Sequence, residues 1–276
     1  MMALLANIAL LSPLLGPLVG TLLLEWVSWR WLFVLLGGTT VLAWLALYRF
    51  MPETLGVERR DGTRLAFQPI HLLPLLSGYA QLLGNRRFVA GSAALGLIGL
   101  PLIGWIGLSP VLLIHDEGLS TMEYALWQLP VFGGLILGNL IINRIADRYP
   151  LTRLVQGALW PFLSGLLLAM LATWLFPSVI SLVSGLSLYA LGLGVANAVL
   201  YRMTLFSSEQ SKGLVSAMLG MITIALLGFG GAVMAMVGAG AGLLEFALAA
   251  GLAGLLALWP LWLVVRDSRA ALAVQP

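Results

Sequence analysis

Cysteine is missing from this sequence altogether and charge is scarce, with 9% Asp, Glu, Lys and Arg among 276 residues against 61% hydrophobic. The first absence excludes disulfide staples and thiolate metal sites. The second excludes an ordinary soluble domain, where roughly 25% of residues carry charge. So little charge cannot cover so much apolar surface in water. Histidine is nearly absent too: His71 and His115 lie far apart and outside the apolar stretches, so neither a zinc site nor any other cofactor is expected. The spans hold no HExxH, no GxSxG and no paired aspartates, and buried polarity is limited to Asn7, Gln128, Asn139, Asn197 and some Ser and Thr. Without such constellations no enzyme is expected.

What the sequence does have is long apolar runs. Eight segments, at about 3–24, 31–48, 88–112, 124–143, 154–176, 179–201, 213–237 and 244–265, approach or exceed the roughly 20 residues that cross a bilayer core. Within lipid every backbone group needs an internal partner, so a span is a helix or part of a closed barrel. Unbroken runs of this length, without alternation, predict helices. The fold class is therefore an all-α membrane protein.

Charge orients it. Arg49, Arg59, Arg60, Arg64, Arg86, Arg87, Arg144, Arg148, Arg153, Arg202, Lys212, Arg266 and Arg269 lie in every second connection or in the C-terminal tail. Only Arg30 lies on the other side, which instead carries Glu25, Asp116, Glu117, Glu123 and Glu245. By the positive-inside rule both termini and the basic loops are expected in the cytoplasm of a bacterial cell, with the chain multi-pass in the inner membrane. The net charge of +3 and pI near 9.6 thus reflect topology, and no nucleic-acid partner is expected. No basic n-region or cleavage pattern marks the first span as a removable signal, so it is expected to stay in the bilayer.

The connection 49–87 is long and basic. Its second part, Phe67–Leu83, is apolar but interrupted by Pro69 and Pro74, and predicts a short interfacial helix rather than a span. Glycines sit at small-residue spacing inside spans, as in Gly16 and Gly20, Gly134 and Gly138, and Gly192 and Gly194. Such faces let helix backbones approach closely where lipid removes the hydrophobic drive. Two prolines, Pro13 and Pro17, predict a bent first span that seats its glycine face against a helix of the second half.

The run Gly16-Pro17-x-x-Gly20 resembles the antiporter motif of drug:proton antiporters in the major facilitator superfamily. Trp29-Arg30-Trp31-Leu32-Phe33 is similar to the turn that follows it, and Met51-Pro52-Glu53-Thr54 to the close of the next helix. Asn143-Arg144-Ile145-Ala146-Asp147-Arg148 resembles the superfamily's cytoplasmic loop motif, with Asp147 and Arg148 as its charged pair. Arg87–Gly91, Leu188–Ala190, Ala196–Ala198 and Ser211–Met221 extend the likeness to the MdfA-like multidrug transporters of the Bcr/CflA drug-resistance group.

The resemblance implies a major facilitator fold in which these eight transmembrane helices match helices 5–12 of the family. The organisation expected is two helices of the first half (1–50), a cytoplasmic linker with the interfacial helix (51–87), a six-helix second half (88–268) and a short cytoplasmic tail (269–276). The chain would then be truncated at its N-terminus, lacking the family's proton-exchanging acids and a coupling arginine. A drug cavity is implied at Asn7, Ala9 and Pro13 on the first span, Leu100 and Gly104 on the third, and Gln128, Phe132 and Leu135 on the fourth. The last three, four and three residues apart, share a helix face. Multidrug efflux of lipophilic and cationic drugs by proton antiport is the activity implied, with the bilayer, drugs and protons as partners and a monomer once completed. This chain alone is expected to be inactive. Two alternatives remain open: a non-transporting helical scaffold or assembly partner, and a metabolite facilitator of the same superfamily, which would want more intramembrane polar residues than these spans offer.

Overall fold

A computed structural model describes residues 15–16, 18–51, 72–238, 240 and 242–273. Helix α1 is described over 18–26 and α2 is Trp29–Phe50. Next come α3 (Leu72–Gly84) and α4 (Arg86–Pro110), which runs on into a π turn at Val111–Asp116. Then follow α5 (Thr121–Ile145), α6 (Leu151–Leu175), α7 (Val179–Leu205), α8 (Lys212–Gly238) and α9 (Leu243–Ala273). Among the described residues seven of these helices are long and apolar enough to cross a membrane. They coincide with seven of the eight expected spans. The remaining one, 3–24, lies largely outside the described residues, as do Asn7, Ala9, Pro13 and Pro17. The last helix runs past 268, where the sequence places the end of the six-helix half, to Ala273.

Local chemistry sets the helix ends. Asn85 caps α4 by accepting from the amides of Arg87 (3.0 Å) and Phe88 (3.2 Å). Ser120 and Glu123 form a capping box that starts α5. Pro110, which has no N–H to give, stands where α4 widens into the π turn. Pro74 falls in the first turn of α3, where a proline is tolerated, so it begins that helix instead of breaking it. α3 leans on the first turns of α4 and α8 through buried Leu82, a Gly78–Leu214 contact and a Gln210–Gln81 hydrogen bond of 2.6 Å.

Short connections join α4 to α9 in sequence, so successive helices run antiparallel. One end of the unit gathers Arg86, Arg87, Arg144, Arg148, Arg153, Arg202, Lys212 and Arg266. The other gathers Asp116, Glu117, Glu123 and Glu245. α7 is the hub, packing on α6, α5 and α4, while α4 also carries α8 and α9. Glycine makes the hub possible: Gly192 abuts the backbone of Ala158 and Phe162 on α6, and Gly194 abuts Leu135 and Asn139 on α5. Gly134 and Gly138 return the contact from α5 to Ser187 and Leu191. Backbones this close exchange dispersion contacts that branched side chains would prevent. Phe88, Trp105, Phe162, Tyr189 and Phe246 fill the remaining interior and are fully buried.

The first two helices behave otherwise. α2 has no buried residue, and a Cβ added at Gly16 or Gly20 would meet nothing within 4 Å. Among the described residues, the close seating expected of the glycine face against the second half is not formed at Gly16 or Gly20. Trp31, Phe33, Leu42 and Tyr48 are instead bare, an apolar surface suited to lipid or to further helices.

Candidate functional site

The interior chemistry centres on α4. Pro101 lacks an N–H and its ring crowds the preceding turn, which weakens the helix ladder around it. Tyr189 of α7 reaches that point. Its hydroxyl donates to the Ile98 carbonyl (2.7 Å) and accepts from the Leu102 amide (3.2 Å), the two groups that pair with each other in an uninterrupted helix. Phe162 of α6 packs on the tyrosine ring at 5.2 Å between centroids. A weakened ladder and an inserted hydroxyl are two recognised causes of a helix bend.

One turn further along, α4 is tied to α5. The Trp105 indole N–H donates to Gln128 Oε1 at 2.7 Å, and Gln128 Nε2 donates to Ser109 Oγ at 3.1 Å. All three residues are buried. The tryptophan ring meets Phe246 of α9 at 6.0 Å, so the polar lock between α4 and α5 also carries an aromatic contact to α9.

Beside this lock, α4, α8 and α9 enclose a groove of about 600 Å³. Leu100, Leu226, Phe229, Met234 and Leu252 are among its walls, and Glu245 stands at the acidic end. The carboxylate is occupied: Glu245 Oε2 accepts from the Gly242 amide at 3.0 Å, at the start of α9. Glu123 is likewise engaged by the amide (2.8 Å) and hydroxyl (2.7 Å) of Ser120. Both acids thus serve as helix caps, in the turn where a negative charge complements the helix dipole.

The expected site residues separate in this framework. Leu100 lines the groove. Gly104 is packed shut, since a Cβ there would lie 2.7 Å from Met234 Sδ. Gln128 is 1% exposed with its amide bonded on both sides, and Phe132 is buried on α5 away from the groove lining. Leu135 is half-buried, its carbonyl accepting from Asn139 Nδ2 at 3.0 Å. Asp147 and Arg148 are exposed in the turn between α5 and α6, and neither makes an ion pair among the described residues. Tyr189, Trp105 and the α8 wall were not expected at the site. A tyrosine and a tryptophan in mid-span are a usable signal, because each brings a polar atom that must find a partner in lipid.

Comparison with known proteins decides the family. The model of the Major Facilitator Superfamily matches residues 1–223. This chain belongs to the major facilitator superfamily. Within it, the chain is similar to "Multidrug transporter MdfA" of Edwardsiella ictaluri (strain 93-146), 47% identical over 223 residues, covering 80% of this chain and 52% of the relative. It is 43% identical over 230 residues to the protein of that name from Yersinia pestis bv. Antiqua (strain Angola), covering 83% of this chain and 54% of the relative. For the Escherichia coli O6:H1 relative of that name it is 43% over 229 residues, with the same coverages. The chain spans about half the length of the curated relatives it matches. A superfamily member with these spans and bacterial relatives is a multi-pass protein of the bacterial inner membrane.

Proposed function

We propose that this chain serves in multidrug efflux, exporting lipophilic and cationic drugs by exchange for protons. The observation that carries the proposal is identity of 43–47% to proteins named multidrug transporters, over 80% or more of the chain. The groove supports it chemically: Leu, Phe and Met walls without an open hydrogen-bond pattern suit varied apolar ligands. The proposed drug site comprises Asn7, Ala9, Pro13, Leu100, Gly104, Gln128, Phe132 and Leu135. In it Gln128 acts as a fixed wall, since its amide is already bonded. Asp147 and Arg148 act as a cytoplasmic contact, and Gly16, Pro17 and Gly20 as the antiporter motif. Transport would proceed by rocking of two halves around a site near mid-membrane, in a monomer once completed.

The chain alone is proposed not to couple protons to export. A coupling group must titrate at membrane depth. No carboxylate in the sequence falls in the middle of an expected span: Asp267 pairs with Arg266 in the last turns of α9, and Glu123 and Glu245 are held as caps. In an efflux-deficient strain the 276-residue chain should give no resistance by itself, and should give it when a second polypeptide supplies the first four helices of a relative. Proton-dependent export by the chain alone would refute this. Failure of both arms would favour a non-transporting scaffold.

The basic end is proposed to face the cytoplasm. The sequence has no cysteine, so single thiols report without background. Glu117 and Tyr149 are exposed at opposite ends. In whole cells an impermeant maleimide should label a Glu117→Cys variant and not Tyr149→Cys; the reverse pattern inverts the topology.

A further inference from the structure

The arginine-rich end of the bundle holds a second cavity, of about 510 Å³, where the ends of α4, α6, α7 and α9 meet. Arg87 and Arg202 both line it. Neither guanidinium makes a hydrogen bond or ion pair among the described residues. Two of the other cations at this end are engaged, while Arg86, Arg144, Arg148 and Arg153 stand outside the cavity lining. Arg266 pairs with Asp267 at 3.0 Å and lies over Trp262, and Lys212 donates to the Ser208 carbonyl at 3.0 Å and sits over Phe206.

Helix dipoles sharpen the imbalance. Arg87 occupies the first turn of α4, where a cation opposes the positive helix end. Pro150, Leu151 and Thr152 bring the start of α6 to the same cavity, and no side chain caps that helix or places an acid in its first turn. Arg202, in the last turn of α7, is favourably placed against that helix's carbonyls but uses none of its donors on them. The described acids of this end do not compensate: Asp267 is taken by Arg266, and Asp147 and Glu209 stand outside the cavity lining. Among the described residues, two like charges and a free helix N-terminus therefore converge on one space that no carboxylate enters.

The cavity is also built rather than incidental. Its wall is pinned by Asn85, whose Nδ2 donates to the Ser207 carbonyl at 3.0 Å, and by Thr204, which is 1% exposed and bonded to the Leu200 carbonyl at 2.7 Å. Leu151, Met203 and Phe206 set apolar surface beside the arginines. We infer that this cavity binds an anionic phospholipid, with the headgroup phosphate between Arg87 and Arg202 at the start of α6. Guanidinium groups and helix amides both suit phosphate oxygens, and basic pockets between helix ends are where anionic headgroups settle. The apolar flank favours a lipid over free phosphate, because it accommodates the chain side of the headgroup.

The test uses the whole chain, purified in mild detergent and stripped of lipid, with native mass spectrometry as readout. Phosphatidylglycerol, phosphatidylcholine and inorganic phosphate are added separately at equal concentration. Phosphatidylglycerol adducts should dominate. They should fall roughly tenfold or more in Arg87→Gln/Arg202→Gln, as two lost cations near an anionic headgroup imply. Arg49→Gln/Arg144→Gln removes the same charge away from the cavity and should retain them. Arg87→Lys/Arg202→Lys keeps charge without the planar fork and should hold an intermediate level, which also guards against a misfolded glutamine variant. Equal loss in both glutamine pairs would reduce the effect to diffuse surface charge and overturn the assignment. Parity between the two lipids, or retention of inorganic phosphate as strongly as of phosphatidylglycerol, would overturn it as well.

Discussion

A Gly192→Leu variant is expected to lose the packed six-helix unit while still inserting into membranes. A Cβ at Gly192 would lie 2.8 Å from both the Ala158 carbonyl oxygen and the Phe162 Cα, and it would press on the Phe162 amide. These are backbone atoms of α6, so no side-chain rotation relieves the clash. Whole helices must part. The displaced contact borders the Phe162–Tyr189 ring pair, and α6 and α7 also share Gly165 against Tyr189 and Gly185 against Ala169. Separation therefore removes a continuous seam rather than one contact. Overfilling a packed interior typically costs about 1–3 kcal/mol, and collision with backbone belongs at or above the top of that range. Gly37→Leu provides the control, because a Cβ at that α2 glycine meets nothing within 4 Å. In mild detergent the Gly37 variant should elute as the parent does and melt with it. The Gly192 variant should aggregate or melt far lower; a parent-like melting curve would show that α6 and α7 tolerate separation.

Much of this arrangement is legible in the sequence. Seven spans follow from apolar length alone, because a bilayer imposes length on a helix and needs no tertiary information. The spacing of Gly134, Gly138, Gly192 and Gly194 points to close helix contacts, and all four meet backbone. Charge separation between the ends was equally plain. Partnership was not. Gly16 and Gly20 have similar small-residue spacing but meet nothing within 4 Å, since spacing marks a surface able to approach without saying what approaches it. Gln128 was grouped with Phe132 and Leu135 by helical phase. Its chemistry is set instead by Trp105 and Ser109 on another helix, pairings of 23 and 19 residues' separation that no local pattern encodes. Glu123 stood out as an acid near a span, and its role became clear only with the Ser120 bonds that make it a cap.

Tyr189 offers the second large effect, and its size should depend on Pro101. In Tyr189→Phe the ring and its contact with Phe162 persist, but the Ile98 carbonyl and Leu102 amide lose the hydroxyl they share. Lipid supplies no replacement partner. Leaving a buried donor or acceptor unpaired costs about 1–3 kcal/mol, although relaxation in a membrane lowers such figures. With Pro101 present, its ring resists the tightening that would let Ile98 and Leu102 satisfy each other fully. In a Pro101→Ala background that resistance is gone, the ladder can close, and the hydroxyl becomes dispensable. The two substitutions should therefore be non-additive, with Tyr189→Phe costing less than half as much when residue 101 is alanine. Unfolding of the purified chain by titration with a denaturing detergent measures all four corners of this cycle. Hydrogen exchange adds an independent sign: the Leu102 amide should exchange faster in Tyr189→Phe and return towards the parent rate in the double variant. Additive energies with an unchanged Leu102 amide would mean that the hydroxyl only fills space, and that the α4 ladder stands without help from α7.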